Sequence, residues 1–235
     1  MSRIDDPAGV REQYAREDNL RARQALYEES EGTQPHDVLR DGLRELAPES
    51  VLEVGGGPGE LAEWMRDELG ARVSFLDLSP RMVELARGRG LDAAVGDVQQ
   101  LPFPDRSFDV VVAAWMLYHV PDLPRGLSEL ARVLVPGGAL VAATNSVTHL
   151  QELRALLRYP EGEGESFNRE NGAALLAPHF ARVERRDAEV TVTVRNRQKL
   201  VDYRDSMQVT VAEVPRHVEL PFIVHARTTV FVATK

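Results

Sequence analysis

The sequence predicts a three-layer α/β domain on a mostly parallel sheet, and three observations carry that expectation. Short apolar runs alternate with segments of helical periodicity from Val51 to Thr144, and such alternation implies right-handed crossovers that lay helices on both faces of a parallel sheet. The first run, Val51-Leu52-Glu53-Val54, passes into Gly55-Gly56-Gly57-Pro58-Gly59 and then a helix from Glu60 to Leu69. That is the order of a buried strand, a glycine turn and a helix whose positive end faces the turn. The next two runs, Val73 to Leu76 and Ala93 to Val95, lead into Asp77 and Gly96-Asp97. Two carboxylates therefore follow two successive strands and should meet the glycine loop in the crevice at the strands' carboxyl ends.

The remaining elements follow in order. Upstream, Val10 to Glu29 and Pro35 to Leu46 read as helices, the second with Val38, Leu39, Leu43 and Leu46 at helical spacing and Pro48 as its stop. Pro80 to Arg87 and Leu123 to Val133 read as helices; Phe108 to Ala113 and Ala139 to Thr144 read as strands, the latter introduced by the turn Pro136-Gly137-Gly138. Past Asn145 the pattern changes. Thr148 to Arg158 and Asn168 to Ala177 read as helices, separated by a loop whose Gly, Pro and acidic content at 161–165 marks it as mobile. Ala181 to Val194 and Val224 to Ala233 alternate as long strands, with a helix at Gln198 to Met207 between them.

Composition bounds the function. A chain of 235 residues, 43% hydrophobic, supports one core rather than two independent domains. A formal charge of -9 argues against a nucleic-acid or anionic-membrane surface, which needs a field of Lys and Arg. With no cysteine there is no disulfide, thiolate metal site or cysteine nucleophile, and the six histidines form no ligand-like cluster, so no metal is expected. Arg3 to Glu31 lacks an apolar leader, and the longest uncharged apolar run, Val110 to Tyr118, is far short of the ~20 residues of a membrane helix. A cytoplasmic protein acting on a small molecule is the expectation.

The glycine loop has one competing reading, a dinucleotide site, which wants Gly-x-Gly-x-x-Gly. Counted from Gly55, its third glycine would fall on Glu60, so the fingerprint fails. What fits is a longer series: Glu53-x-Gly55-x-Gly57-x-Gly59, Asp77-Leu78-Ser79-Pro80-Arg81-Met82, Gly96-Asp97-Val98, Leu101-Pro102-Phe103-Pro104-Asp105-x-Ser107-Phe108-Asp109, Leu117-Tyr118-His119-Val120-x-Asp122 and Pro136-Gly137-Gly138. In this series the chain resembles the class I S-adenosylmethionine-dependent methyltransferases, within them the small-molecule group related to the ubiquinone and menaquinone C-methyltransferases. The resemblance runs from about Val51 to Asn145 and implies a Rossmann-like fold with seven strands, mostly parallel, the last antiparallel. It implies three stretches of one continuous domain: a helical cover at 1–48, the cofactor-binding core at 49–145, and acceptor-side helices with closing strands at 146–235.

The same resemblance assigns roles. Asp77 should accept both hydroxyls of the cofactor ribose, since a two-oxygen acceptor matches a diol. Asp97 should accept the adenine amine while the Val98 N–H donates to a ring nitrogen. Gly55, Gly57 and Gly59 let the backbone approach the methionine portion, and Glu53 reaches its ammonium group. Leu78 and Met82 lie toward the adenine, Ala113 and Ala114 complete the methionine end, and Tyr14 belongs to the cover. Methyl transfer is an in-line displacement needing positioning more than acid or base; His119 and Tyr118 are the catalytic candidates should the acceptor have to lose a proton, while the resemblance also places His119 in a helix-start signature where it ties down the loop by hydrogen bonding. His36 and His149 are further pocket candidates, His217 and His225 surface or sheet residues, and Asp105 and Asp109 a loop charge and a strand-edge residue. The expected activity is methylation of O, N or C on a small acceptor by a monomer or homodimer. The alternatives are a cofactor-binding protein of this fold catalysing a non-methylation reaction, and a dinucleotide-dependent reductase.

Overall fold

A computed structural model describes residues 17–159, 166–207 and 211–235. In chain order the strands are β1 (Ser30–Gly32), β2 (Ser50–Val54), β3 (Arg72–Asp77), β4 (Asp92–Val95), β5 (Phe108–Ala114), β6 (Leu134–Asn145), β7 (Arg182–Val194) and β8 (Phe222–Thr234). The helices are α1 (Glu17–Ala25), α2 (Pro35–Leu46), α3 (Glu60–Leu69), α4 (Pro80–Gly88), α5 (Leu123–Val133), α6 (Gln151–Leu156), α7 (Gly172–Leu176) and α8 (Arg197–Asp205). One sheet holds all eight strands in the order β1-β7-β8-β6-β5-β2-β3-β4. β2 pairs in parallel with β3 and β5, β3 with β4, and β5 with β6, while β8 is antiparallel to both β6 and β7. Because the chain runs outward through β3 and β4 and then returns to the other side of β2, the order reverses between β2 and β5. A crevice opens there at the carboxyl ends.

Alternation along the central strands divides the core into layers. Leu52 and Val54 of β2, with Val111 and Ala113 of β5, face α5 and its Leu127 and Leu130. Val51, Val110 and Val112 point the other way, onto Leu39 and Leu43 of α2, Ala62 and Met65 of α3, and Val83 and Ala86 of α4. This is the period-two pattern of a sheet covered on both faces. A third cluster joins Leu26, Leu153 of α6 and Leu200 of α8 to Val190, Val192 and Val224 at the antiparallel end. Beside it Tyr27 Oη lies 2.9 Å from His149 Nε2, whose Nδ1 meets the Arg227 backbone; burial holds His149 down at about 4, so it stays neutral.

Several local expectations change, and the helices expected at Thr148 to Arg158 and Asn168 to Ala177 shorten to Gln151–Leu156 and Gly172–Leu176. The sheet has eight strands, not seven: β1 pairs Ser30, Glu31 and Gly32 with Val192, Thr191 and Val190. Three residues without apolar alternation carry no strand signal, and this pairing is made by tertiary contact alone. The first helix ends earlier than Glu29, at Ala25, and Leu26–Glu29 forms a 3-10 turn. Pro136-Gly137-Gly138 is not a turn ahead of a strand but a bulge inside β6, where the register jumps from Phe108↔Leu134 to Val110↔Ala139. Gly137 has φ +78, and a Cβ on Gly138 would lie 2.8 Å from the Asp109 carbonyl oxygen. The bulge closes on β5 only with glycine there. Tyr14 and the loop at 161–165 lie outside the described residues.

Candidate active site

β2 ends in Glu53-Val54, and the chain turns away through Gly55 at φ +66, whose N–H donates to the Leu76 carbonyl at 2.8 Å. Glu53 is 1% exposed and its Oε2 has no hydrogen-bond partner. Burial, and then the charge of Asp77, push its carboxyl up to about 8 against a stabilising Ala62 N–H. Gly56 roofs it: a Cβ there would stand 2.4 Å from Glu53 Cδ and 2.6 Å from the Phe75 ring. Gly57, at φ +58, faces open space, and Gly59 at φ +82 caps α3.

One strand over, Asp77 closes β3. Its Oδ1 accepts from the Ser79 N–H at 2.8 Å and its Oδ2 from the Gly57 N–H at 3.3 Å. Burial lifts it to about 6 in spite of these donors. Ser79, not Asp77, caps α4, which leaves the carboxylate free to face the crevice. After β4, Asp97 accepts from the Gln99 N–H at 2.8 Å and from the Gln99 side-chain amide at 3.0 Å on each oxygen. Gln99 Oε1 in turn accepts from the Asp122 N–H at 3.0 Å, tying this corner to the start of α5.

These pieces enclose a cavity of about 470 Å³ at the reversal between β2 and β5. Glu53, Gly55, Gly57, Asp77, Leu78, Asp97, Val98, Ala114 and His119 line it. Four expected residues are placed elsewhere. Met82 and Ala113 are buried in the core, Gly59 sits behind the loop as the α3 cap, and Tyr118 packs edge-on to His119 with ring centroids 4.5 Å apart. The far wall comes from residues with no motif of their own: Gln24 of α1, His36 and Arg40 of α2, and Trp115 and Met116 after β5. Trp115 takes a left-handed φ of 53, rare for a bulky residue, and its ring centroid lies 4.8 Å from that of His36. Met116 packs where a Gly55 side chain would go. His36 is one of the further pocket candidates and does line the cavity; for Arg40 the only available signal was its place four residues on, on the same helix face. Among the described residues no cluster of acids and histidines could hold a metal, and no helix is long and apolar enough to cross a membrane.

Strand order, glycine loop and the acids at three successive strand ends define a class I methyltransferase fold. Residues 52–142 match the methyltransferase-domain family model, and the resemblance read from the motifs is borne out. A malonyl-[acyl-carrier protein] O-methyltransferase of Serratia marcescens is 38% identical over 119 residues, 49% of this chain and 46% of that protein. A demethylmenaquinone methyltransferase of Chlorobaculum tepidum is 41% identical over 90 residues, 37% of each chain. The chain thus aligns with half or less of the curated relatives it matches. Among solved structures, phospholethanolamine N-methyltransferase 2 of Haemonchus contortus, in complex with phosphomonomethylethanolamine and S-adenosylhomocysteine, superposes with a TM-score of 0.62 at 19% identity. It covers 100% of this chain and 60% of its own.

Proposed function

We propose that the protein is an S-adenosylmethionine-dependent methyltransferase that delivers a methyl group to oxygen, nitrogen or carbon of a small organic acceptor. The observation that carries this reading is the orphaned Glu53 carboxylate under the glycine loop, with Asp77 and Asp97 at the ends of the strand beside it and the strand beyond. A buried acceptor without a donor is costly; an ammonium group arriving over Gly55 and Gly57 supplies one. Asp77 then takes the ribose hydroxyls and Asp97 with the Val98 N–H takes the adenine edge. When bound, S-adenosylmethionine supplies an electrophilic methyl group on a sulfonium.

The chain's own residues do the rest by positioning. Gly56 has no space for a side chain, so the loop holds Glu53 and the backbone in a fixed cradle. Ala114, Trp115, Met116 and His119 form the wall on the acceptor side, where closure around the acceptor excludes water. His119 is the group in reach to accept a proton from an acceptor hydroxyl or amine, and Tyr118 braces its ring. The stretch 1–48 and the helices after 146 supply acceptor specificity.

Calorimetric titration with S-adenosylhomocysteine tests the assignment. Asp77→Ala and Asp97→Ala each remove charge-assisted hydrogen bonds and should weaken binding about tenfold or more, while the circular dichroism spectrum stays that of the wild type. Unchanged affinity in both variants sinks the reading.

A further inference from the structure

S-adenosylmethionine carries two cationic centres, an ammonium and a sulfonium, and the acids on the cavity wall answer only the first. In the reading above Glu53 meets the ammonium, Asp77 the ribose and Asp97 the adenine, while the remaining wall carboxylate, Glu60, is paired with Arg89. What the wall still offers a cation is π surface. Trp115 is the only Phe, Tyr or Trp among the described residues lining it. It follows β5, whose Val112 stands opposite Glu53, and it precedes Met116, which packs onto Gly55. The indole therefore belongs to the methionine end. Its backbone N–H donates to the Ala143 carbonyl at 2.8 Å while its φ is 53, so the neighbouring strand holds a bulky residue in a conformation that such residues rarely adopt.

The two indoles of the chain keep different company. Trp64 carries the guanidinium groups of Arg40 and Arg44, each 5.2 Å from its ring centroid. Trp115 has no cation over its ring among the described residues; its ring neighbour is His36, at 4.8 Å between centroids and 49° between planes. Desolvation and then the charge of Arg40 hold that imidazole below the usual histidine range, so it is neutral at pH 7. The indole thus has the quadrupole that attracts a cation and no cation to meet it.

We propose that the Trp115 indole recognises the sulfonium charge and is the residue that separates the methyl donor from the spent cofactor. The inference rests on the cofactor reading and deepens it. A cation over an indole face is attracted most strongly where water is excluded. Methyl transfer leaves the bonding pair on sulfur, which becomes a neutral thioether, and the attraction ends with the charge. One ring then holds the donor and lets the product go. A cationic acceptor is not the partner, because the attacking atom needs a free lone pair and a second positive centre beside the sulfonium is repelled.

Calorimetric titrations without acceptor compare three ligands: S-adenosylmethionine, S-adenosylhomocysteine, which is neutral at sulfur, and sinefungin, whose protonated amine stands where the methyl of the sulfonium would be. Trp115→Leu should weaken binding of the two cationic ligands about fivefold or more relative to S-adenosylhomocysteine, and Trp115→Phe should show a smaller drop of the same kind. A further measurement leaves the ring in place. Trp64→Phe makes Trp115 the only indole of the chain, and saturating S-adenosylmethionine should change its fluorescence. The proposal is overturned by an unchanged ratio of the affinities in both Trp115 variants, by an equal loss for all three ligands, or by emission that does not respond to S-adenosylmethionine. Should Trp115→Leu not fold, Trp115→Phe and the emission decide. Wild-type protein that binds none of the three ligands overturns the cofactor reading itself.

Discussion

Glu53 is the residue on which most of the site's physics converges, and its burial makes a prediction about acidity. A carboxyl held at about 8 in the folded chain, against an ordinary value of about 4.3, binds a proton that the unfolded chain has already released. Its contribution to stability is therefore complete below the ordinary value and is lost as pH rises through about 8. Asp77, at about 6, adds the same sign over a narrower window. Asp109 and Glu129, held low by their hydrogen bonds against an opposing burial effect, act in the opposite sense, but only on the acid side. His149, held at about 4 and so without the proton its unfolded form binds, opposes this trend up to about pH 6.5; the ligand-free protein should thus melt at steadily lower temperature from pH 6.5 to pH 8.5, and Glu53→Gln should remove most of that decline. Parallel melting profiles for the two proteins refute it. The roof over this carboxyl is equally specific. Gly56→Ala drives a methyl group into Glu53 and Phe75 and should either prevent folding or abolish S-adenosylhomocysteine binding. Gly57→Ala meets no atom, and should cost only the roughly 1–2 kcal/mol of a left-handed alanine, as comparative denaturant titrations will show.

At the scale of elements, the site depends on how strands are kept level with one another. Asp109, at the entry to β5, accepts from the Glu49 N–H at 3.1 Å and from the Ser50 N–H and hydroxyl at 2.9 Å each. It pins the start of β2 against β5, so the two carboxyl ends arrive together at the crevice. Asp109→Ala should cost about 2 kcal/mol, the order expected for hydrogen bonds to a partly exposed charge; a denaturation midpoint equal to that of wild type contradicts it. From the sequence this aspartate was legible only as a strand-edge residue. The elements that were legible are those whose signals are local: α2, α3 and α5 start at Pro35, Glu60 and Leu123 as their apolar stripes require, and β2 to β5 fall within a residue of their apolar runs. The loop, Asp77 and Asp97 were legible because their spacing follows strand ends. Arg40, Trp115 and Met116 were not. Their place on the cavity wall comes from helix docking and from a left-handed turn at Trp115, neither of which a local pattern encodes. Met82 illustrates the converse, a residue inside a motif whose helical phase turns it into the core.

For the whole molecule, the negative balance makes a simple statement about partners. With arginines among the described residues largely answered by neighbouring acids and a formal charge of -9, the expectation is that few counterions are released from a polyphosphate. Gel shifts with tRNA or duplex DNA should show no complex at low salt, and a tight complex with a steep salt dependence would contradict the small-molecule reading. The position of β8 has a different kind of consequence. Although it follows every other strand in sequence, it lies between β6 and β7, hydrogen-bonded along thirteen residues of one and seven of the other. Until residues from Phe222 onward are in place, β6 presents a bare, apolar edge to solvent, and β7 with β1 has no attachment to the rest of the sheet. The strand made last is thus the one that joins the two parts of the sheet. A nascent chain halted before that point carries the glycine loop and strand-end acids beside an unguarded edge, with α2 still lacking Val230 and Val232 of β8 to pack on, inviting strands from other molecules into the gap.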